Sequence, residues 1–317
     1  MKDVLIVDGL NVFMRHFAAN PATSGNGENV GGVIGFLRGL KNLIDMFCPK
    51  KVIVVWEGGG SPRRRAIDPN YKQGRRPVKL NRWYDDIPST VGNRNSQLNL
   101  LIKFLRFGPI SQLYVEDCEA DDIIGYLANF ELKDENVIIV SSDKDYYQLI
   151  DQTTKVWSPG QKKIIDEDVV LDKFGITSKN FCVARCFCGD SSDGISGAKG
   201  VGFKTLAKRF EVLSSEEECS VDEIVKIATD EVGSSKLKLY KSIIEYAPRA
   251  KTNWKLMYLG TNNLSGEQIK KITYQVNQDL PHPKKLDFMR LLNRNQIINF
   301  DVNSYFMSLN FINHQQS

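Results

Sequence analysis

Carboxylates crowd one stretch of this chain, from Val115 to Asp145. Glu116, Asp117, Glu119, Asp121 and Asp122 gather at the start of one segment, and Asp143 and Asp145 follow a short apolar run. Close carboxylates repel one another, and each resists ionising unless a positive charge sits among them. A divalent cation supplies that charge, and oxygen ligands favour Mg²⁺ or Mn²⁺ over Zn²⁺. Acids in a first helical turn also complement the helix dipole, but that accounts for one or two residues, not for five followed by two.

The elements that must carry these acids are legible in the apolar pattern. Val4–Val7, Lys51–Trp56 and Val137–Val140 are short apolar runs suited to parallel strands buried on both faces, and they end at Asp8, Glu57 and the Asp143/Asp145 pair. An open α/β sheet binds its ligands beyond the carboxyl ends of its strands, so the three runs predict one acidic sheet edge. Leu113–Val115 and Thr154–Trp157 read as further strands. Helices are expected over Val30–Phe47, Asn95–Phe107 and from the acidic cluster through Leu127, where Ile123, Ile124 and Leu127 recur at helical spacing. The expected class is α/β, a mostly parallel central sheet flanked by helices, with a core over 1–165 and a helical region over 166–317.

A chain of 317 residues with 42% hydrophobic residues can bury a substantial core. No signal-like or membrane-spanning run is present, which predicts a cytoplasmic, membrane-free and monomeric protein. The six cysteines do not suggest a disulfide framework, and Cys182, Cys186 and Cys188 are expected as buried thiols. The net charge of +4 is unevenly placed: residues 58–95 hold nine Lys or Arg against three acids, so the remainder is slightly negative. Arg63, Arg64, Arg65, Lys72, Arg75, Arg76, Lys79 and Arg82 alternate there with Tyr71, Trp83 and Tyr84, a pattern that suits nucleic-acid phosphates and stacked bases. Further on, Gly189–Phe210 combines Gly194, Gly197, Gly200 and Gly202 with Lys199, Lys204, Thr205, Lys208 and Arg209, as a helix-hairpin-helix would to grip a duplex backbone. The apolar tail Ser304–Ile312 is expected to dock on the core.

Taken as an ordered set, VDGLNVFMR, YKQGR, EADD, SSDKD and GDSSDGISGAKGVGFKT resemble the motifs of the 5′-nuclease, or flap endonuclease, superfamily, and most of all its phage RNase H and 5′→3′ exonuclease branch. The resemblance implies a PIN-like core with two cation sites for Mg²⁺ or Mn²⁺. It assigns Asp8, Glu57, Glu119 and Asp121 to the first, Asp143, Asp145, Asp190 and Asp193 to the second, and Asp122 between them. It implies that Lys72 and Arg75 act on the scissile phosphate, that Tyr71 stacks on a base, and that Arg15 contacts phosphate. Related hairpins hold K⁺ on backbone carbonyls, which the glycines here permit. Glu57 departs from the family's usual Asp by one methylene, which matters to a cation as strict in geometry as Mg²⁺.

The implied activity is metal-dependent hydrolysis at 5′ ends or flaps of DNA or of RNA annealed to DNA, in work at replication forks where single-strand-binding protein and a sliding clamp are the expected partners. Two rivals remain at this level. A PIN-type ribonuclease would need neither the basic insertion nor the hairpin, and a DNA-structure binder without activity would explain the oddity of Glu57.

Overall fold

The computed structural model describes residues 3–73, 91–234 and 237–313. Its centre is a six-stranded sheet of order β3-β2-β1-β4-β5-β6. The strands are β1 (Val4–Asp8), β2 (Lys51–Trp56), β3 (Ser111–Tyr114), β4 (Val137–Val140), β5 (Thr154–Ser158) and β6 (Lys163–Ile165). Neighbours pair in parallel except β6, which runs antiparallel to β5. β1, β4 and all but the first residue of β2 are buried, as parallel strands covered on both faces must be. Strand order reverses between β1 and β4, and a crevice opens beyond the carboxyl ends of strands at such a point.

One face is covered by α1 (Gly9–Ala19), α2 (Gly31–Phe47) and α4 (Val91–Leu105), which bury Phe13, Phe36, Leu40 and Phe104 against Leu5, Val52 and Val54. The short α3 (Pro62–Ile67) lies between β2 and α4. Against the other face lies α5 (Ala120–Tyr126), where Ile123 and Ile124 meet Ile6 and Ile53. A third cluster joins α7 (Ser178–Cys188), α8 (Phe203–Arg209), α9 (Val221–Val232) and α10 (Lys238–Met257), with α6 (Glu167–Phe174) between it and the sheet.

The expected boundary near residue 165 does not separate cores. Ile272 and Val276 of α11 (Gly266–Val276) join the α5 face, while Phe288 of α12 (Lys285–Arg294) and Tyr305, Phe306 and Leu309 of α13 (Val302–Asn313) join the α2 face. The apolar tail thus docks on the core, as its composition predicts. β6 is an edge strand of three residues that apolar patterning does not announce.

Candidate active site

Four strand ends deliver the acids. Asp8 is both the last residue of β1 and the cap of α1, its Oδ1 accepting from the Asn11 amide at 3.2 Å. Its Oδ2 accepts from Ser141 Oγ and Tyr146 Oη, each at 3.1 Å, so the carboxylate is fixed in orientation. Glu57 follows β2, and its Oε2 accepts from the Ala120 amide at 3.2 Å. This approach depends on Gly58, whose amide donates to Cys118 O; a Cβ there would lie 1.7 Å from the Val115 carbonyl oxygen. Glycine therefore lets the loops after β2 and β3 close on each other and brings Glu57 beside the acids of α5.

Asp8, Glu57, Asp121 and Asp143 line one cleft of about 330 Å³ together with Asn11, Lys72 and Tyr146. Two groups of acids bring carboxylate oxygens within 4.8 Å of one another: Glu119, Asp121 and Asp122, and Asp145, Asp190 and Asp193. Asp190 and Asp193 come from the loop after α7, where Gly189 at φ +75° and a bridge between Asp190 and Ile195 turn the chain back. Glu116 and Asp117 stay outside, exposed in the turn before α5.

Electrostatics fit cations. Burial, aided by Asp143, pushes the Asp8 carboxyl up to about 6, and burial with Asp121 and Glu119 pushes Glu57 up to about 7. Asp145 is likewise raised, by burial and by Asp143. For Asp121 burial works upward, but Arg64 and Lys72 prevail and hold it below the usual carboxylate value. Groups raised in the fold favour the folded state while protonated, so this part of the metal-free protein's stability is present below about pH 4 and is lost as pH rises through about 6 to 7. A bound cation reverses that loss, because it requires the ionised forms. Any rise in melting temperature that a fixed concentration of divalent cation causes should therefore grow from about pH 5 to about pH 8; a pH-independent rise in thermal melts would contradict this electrostatic account.

Several expected site residues take other places. Arg64 is 1% exposed and does not face a substrate. Its Nη1 donates to Glu119 Oε2 at 2.7 Å and Asp122 Oδ2 at 2.6 Å, its Nη2 to Asp122 Oδ1 at 2.7 Å, and its Nε to the Leu256 carbonyl at 2.7 Å. Tyr71, expected as a base-stacking ring, is 8% exposed in the third cluster and donates its hydroxyl to Glu119 Oε2 at 3.0 Å. Both corrections share a cause: desolvated acids need donors, and the Arg64 guanidinium and Tyr71 hydroxyl turn inward to supply them. Asp122 spends both oxygens on Arg64, which leaves Asp121 as the member of its group that lines the cleft. Gly197 serves packing, since a Cβ there would stand 2.1 Å from Cys188 O.

Lys72 does reach the site, its Nζ 2.8 Å from Glu119 Oε2 and its backbone amide on Asp193 O at 3.1 Å. Arg15, Arg63, Arg65, Lys199, Gly200, Lys204 and Thr205 are exposed, and Gly202 opens α8 half-exposed. Arg75, Arg76, Lys79 and Arg82 lie outside the described residues, as do Trp83 and Tyr84. Sequence reasoning missed Arg185, Ser141 and Tyr146. Ser141 and Tyr146 flank the two acids of SSDKDYY, which was a usable signal; Arg185 sits in an apolar helix and gave none.

Residues 3–175 match the family model of the 5′-3′ exonuclease N-terminal resolvase-like domain. A 5′-3′ exonuclease of Buchnera aphidicola subsp. Schizaphis graminum is 34% identical over 66% of this chain and 71% of its own length. A flap endonuclease Xni of Shewanella halifaxensis is 28% identical over 83% of this chain and 94% of its own. The structure of a bacteriophage T5 flap endonuclease pseudo-enzyme–product complex with DNA and metal ions superposes with a TM-score of 0.68 at 16% identity, covering 92% of this chain and 100% of that one.

Proposed function

The chain belongs to the 5′-3′ exonuclease family, and from that premise we propose that its cleft is a two-cation site, for Mg²⁺ or Mn²⁺, at which 5′ ends and flaps of DNA or of RNA annealed to DNA are hydrolysed. The protein is a 5′ nuclease, a hydrolase of phosphodiester bonds. The observation that carries the reading of the site is the convergence of Asp8, Glu57, Asp121 and Asp143 from separate loops on one cleft, with Asp145, Asp190 and Asp193 grouped beside them.

Asp8, Glu57, Glu119 and Asp121 would hold one cation, and Asp143, Asp145, Asp190 and Asp193 the other. Cations so held would activate water and stabilise the leaving oxygen. The remaining work falls to the chain. Ser141 and Tyr146 keep the Asp8 oxygens from rotating, and Lys72 places a full positive charge on the cleft wall, where it can meet charge that builds on the scissile phosphate. Arg15, Arg63 and Arg65, with Lys199, Lys204 and Thr205 on the hairpin side, are the exposed groups offered to the phosphate backbone. The loop between α7 and α8 is assigned as a helix-hairpin-helix, with Gly200 at φ +75° opening the backbone that would carry K⁺.

Cleavage of a 5′-labelled strand, annealed as an RNA primer, a nicked duplex or a 5′ flap, tests this reading in Mg²⁺ and in EDTA. Short 5′ products that need Mg²⁺ support it; cleavage that survives EDTA would remove the cations from the account. Lys72→Ala should lower kcat about 100-fold while duplex affinity changes little. Equal losses in the two would make Lys72 a binding residue.

A further inference from the structure

Among the described residues two arginines, Arg64 and Arg185, stand among the acids, and they are held differently. Arg64 has its Nε, Nη1 and Nη2 all engaged in aligned hydrogen bonds, to α5 acids and to the end of α10. Nothing short of unfolding its surroundings would release it. Arg185, on α7, places Nη2 2.5 Å from Asp190 Oδ2 and Nε 2.5 Å from Asp145 Oδ1. Yet neither Arg185 Nε nor Asp145 Oδ1 has an aligned hydrogen-bond partner. Nη2 does donate to Asp190, but toward Asp145 the charges are paired while the directional bond is unmade, so that half of the arrangement holds by Coulomb attraction more than by fit.

The acids that Arg185 touches are those of the second group, Asp145 and Asp190, whose oxygens lie with that of Asp193 within 4.8 Å. We propose that Arg185 is the resident counter-ion of this second acidic group and competes there with a divalent cation, so that the group takes up its cation only as the guanidinium withdraws. The inference rests on the reading of this group as a cation site. An arginine cannot shed its proton at any pH a protein tolerates. The contest is therefore between two like charges at hydrogen-bond range in a largely desolvated site, and it ends by movement of the side chain. In the first group Arg64 and Lys72 bind Glu119, and Arg64 takes both oxygens of Asp122, but Asp121 still faces the cleft beside Asp8 and Glu57 and offers a cation its oxygens there. The two cations consequently load in order, the first group filling at lower concentration than the second.

Calorimetric titration of the full-length protein with Mn²⁺ tests this without reference to activity. Wild type should show a tighter and a weaker site, the weaker one abolished by Asp193→Asn. Arg185→Met should tighten the weaker site about tenfold or more and leave the tighter one within about twofold. Arg185→Lys, which keeps the charge but not the fork, should fall between them and stands in if the Met variant does not fold. A weaker site unchanged or further weakened in a folded Arg185 variant overturns the inference alone. If wild type and Arg185→Met both take up a single cation, the two-cation reading fails and the inference falls with it.

Discussion

Asp121→Asn is expected to reduce cleavage on the order of 10³-fold or more while leaving the fold and duplex binding in EDTA intact. Asn matches Asp in size, and its carbonyl can keep the contact that Asp121 Oδ1 makes with the Asp122 amide at 3.0 Å. What it removes is one full charge from the acid that faces the cleft. That charge is not spare: Arg64 Nη1 lies 3.8 Å away, and Arg64 and Lys72 together keep the carboxyl ionised against burial. Duplex affinity should hold or improve slightly, since a negative charge opposite the phosphates is gone. Single-turnover cleavage and duplex titration of the same preparation separate the two effects. A rate within about tenfold of wild type at saturating Mn²⁺ would move the essential ligand set away from Asp121.

The sequence made the acidic edge readable because parallel strands buried on both faces are continuous apolar runs, and such runs mark their own carboxyl ends. Asp8, Glu57, Asp143 and Asp145 can thus be placed at that edge from the sequence alone. Glu119 and Asp121 were found by crowding alone, which also drew in Glu116 and Asp117 from an exposed turn. Cations were harder. Arg64 stands between Arg63 and Arg65, and nothing in three consecutive arginines says which one turns inward; the structure buries the middle one and leaves its neighbours exposed. That choice follows from α3, where Ser61 caps the helix by accepting from the Arg64 amide at 3.2 Å and sets which face meets α5. Arg185 was hidden for the opposite reason, since a lone cation in the apolar sequence FCVARCFC has partners that come from residues 40 and 5 positions away.

The stability cost of removing Arg64 should be large. Arg64→Met leaves Asp122, 2% exposed, with two oxygens and no donor for either, and it also strips Glu119 and the Leu256 carbonyl of a partner. Breaking a buried ion pair from one side typically costs about 3–5 kcal/mol. Asp122 would respond by taking up a proton, so the deficit should be larger at about pH 8 than at about pH 5, and chemical denaturation at both values measures it. A loss below about 1 kcal/mol at the higher value would mean that water reaches these oxygens and that the pair is not the anchor its burial suggests. Adding Asp122→Leu to Arg64→Met should recover most of the stability, because two apolar side chains can replace a buried pair at little cost. Activity should not return with it. Arg64 also ties α3 to the end of α10, and the segment that follows α3 carries Tyr71 and Lys72 onto the same Glu119 oxygen. A stable but slow double variant would separate the two roles of Arg64: neutralising Asp122, which leucine can replace, and fixing the register in which Lys72 meets the cleft, which it cannot.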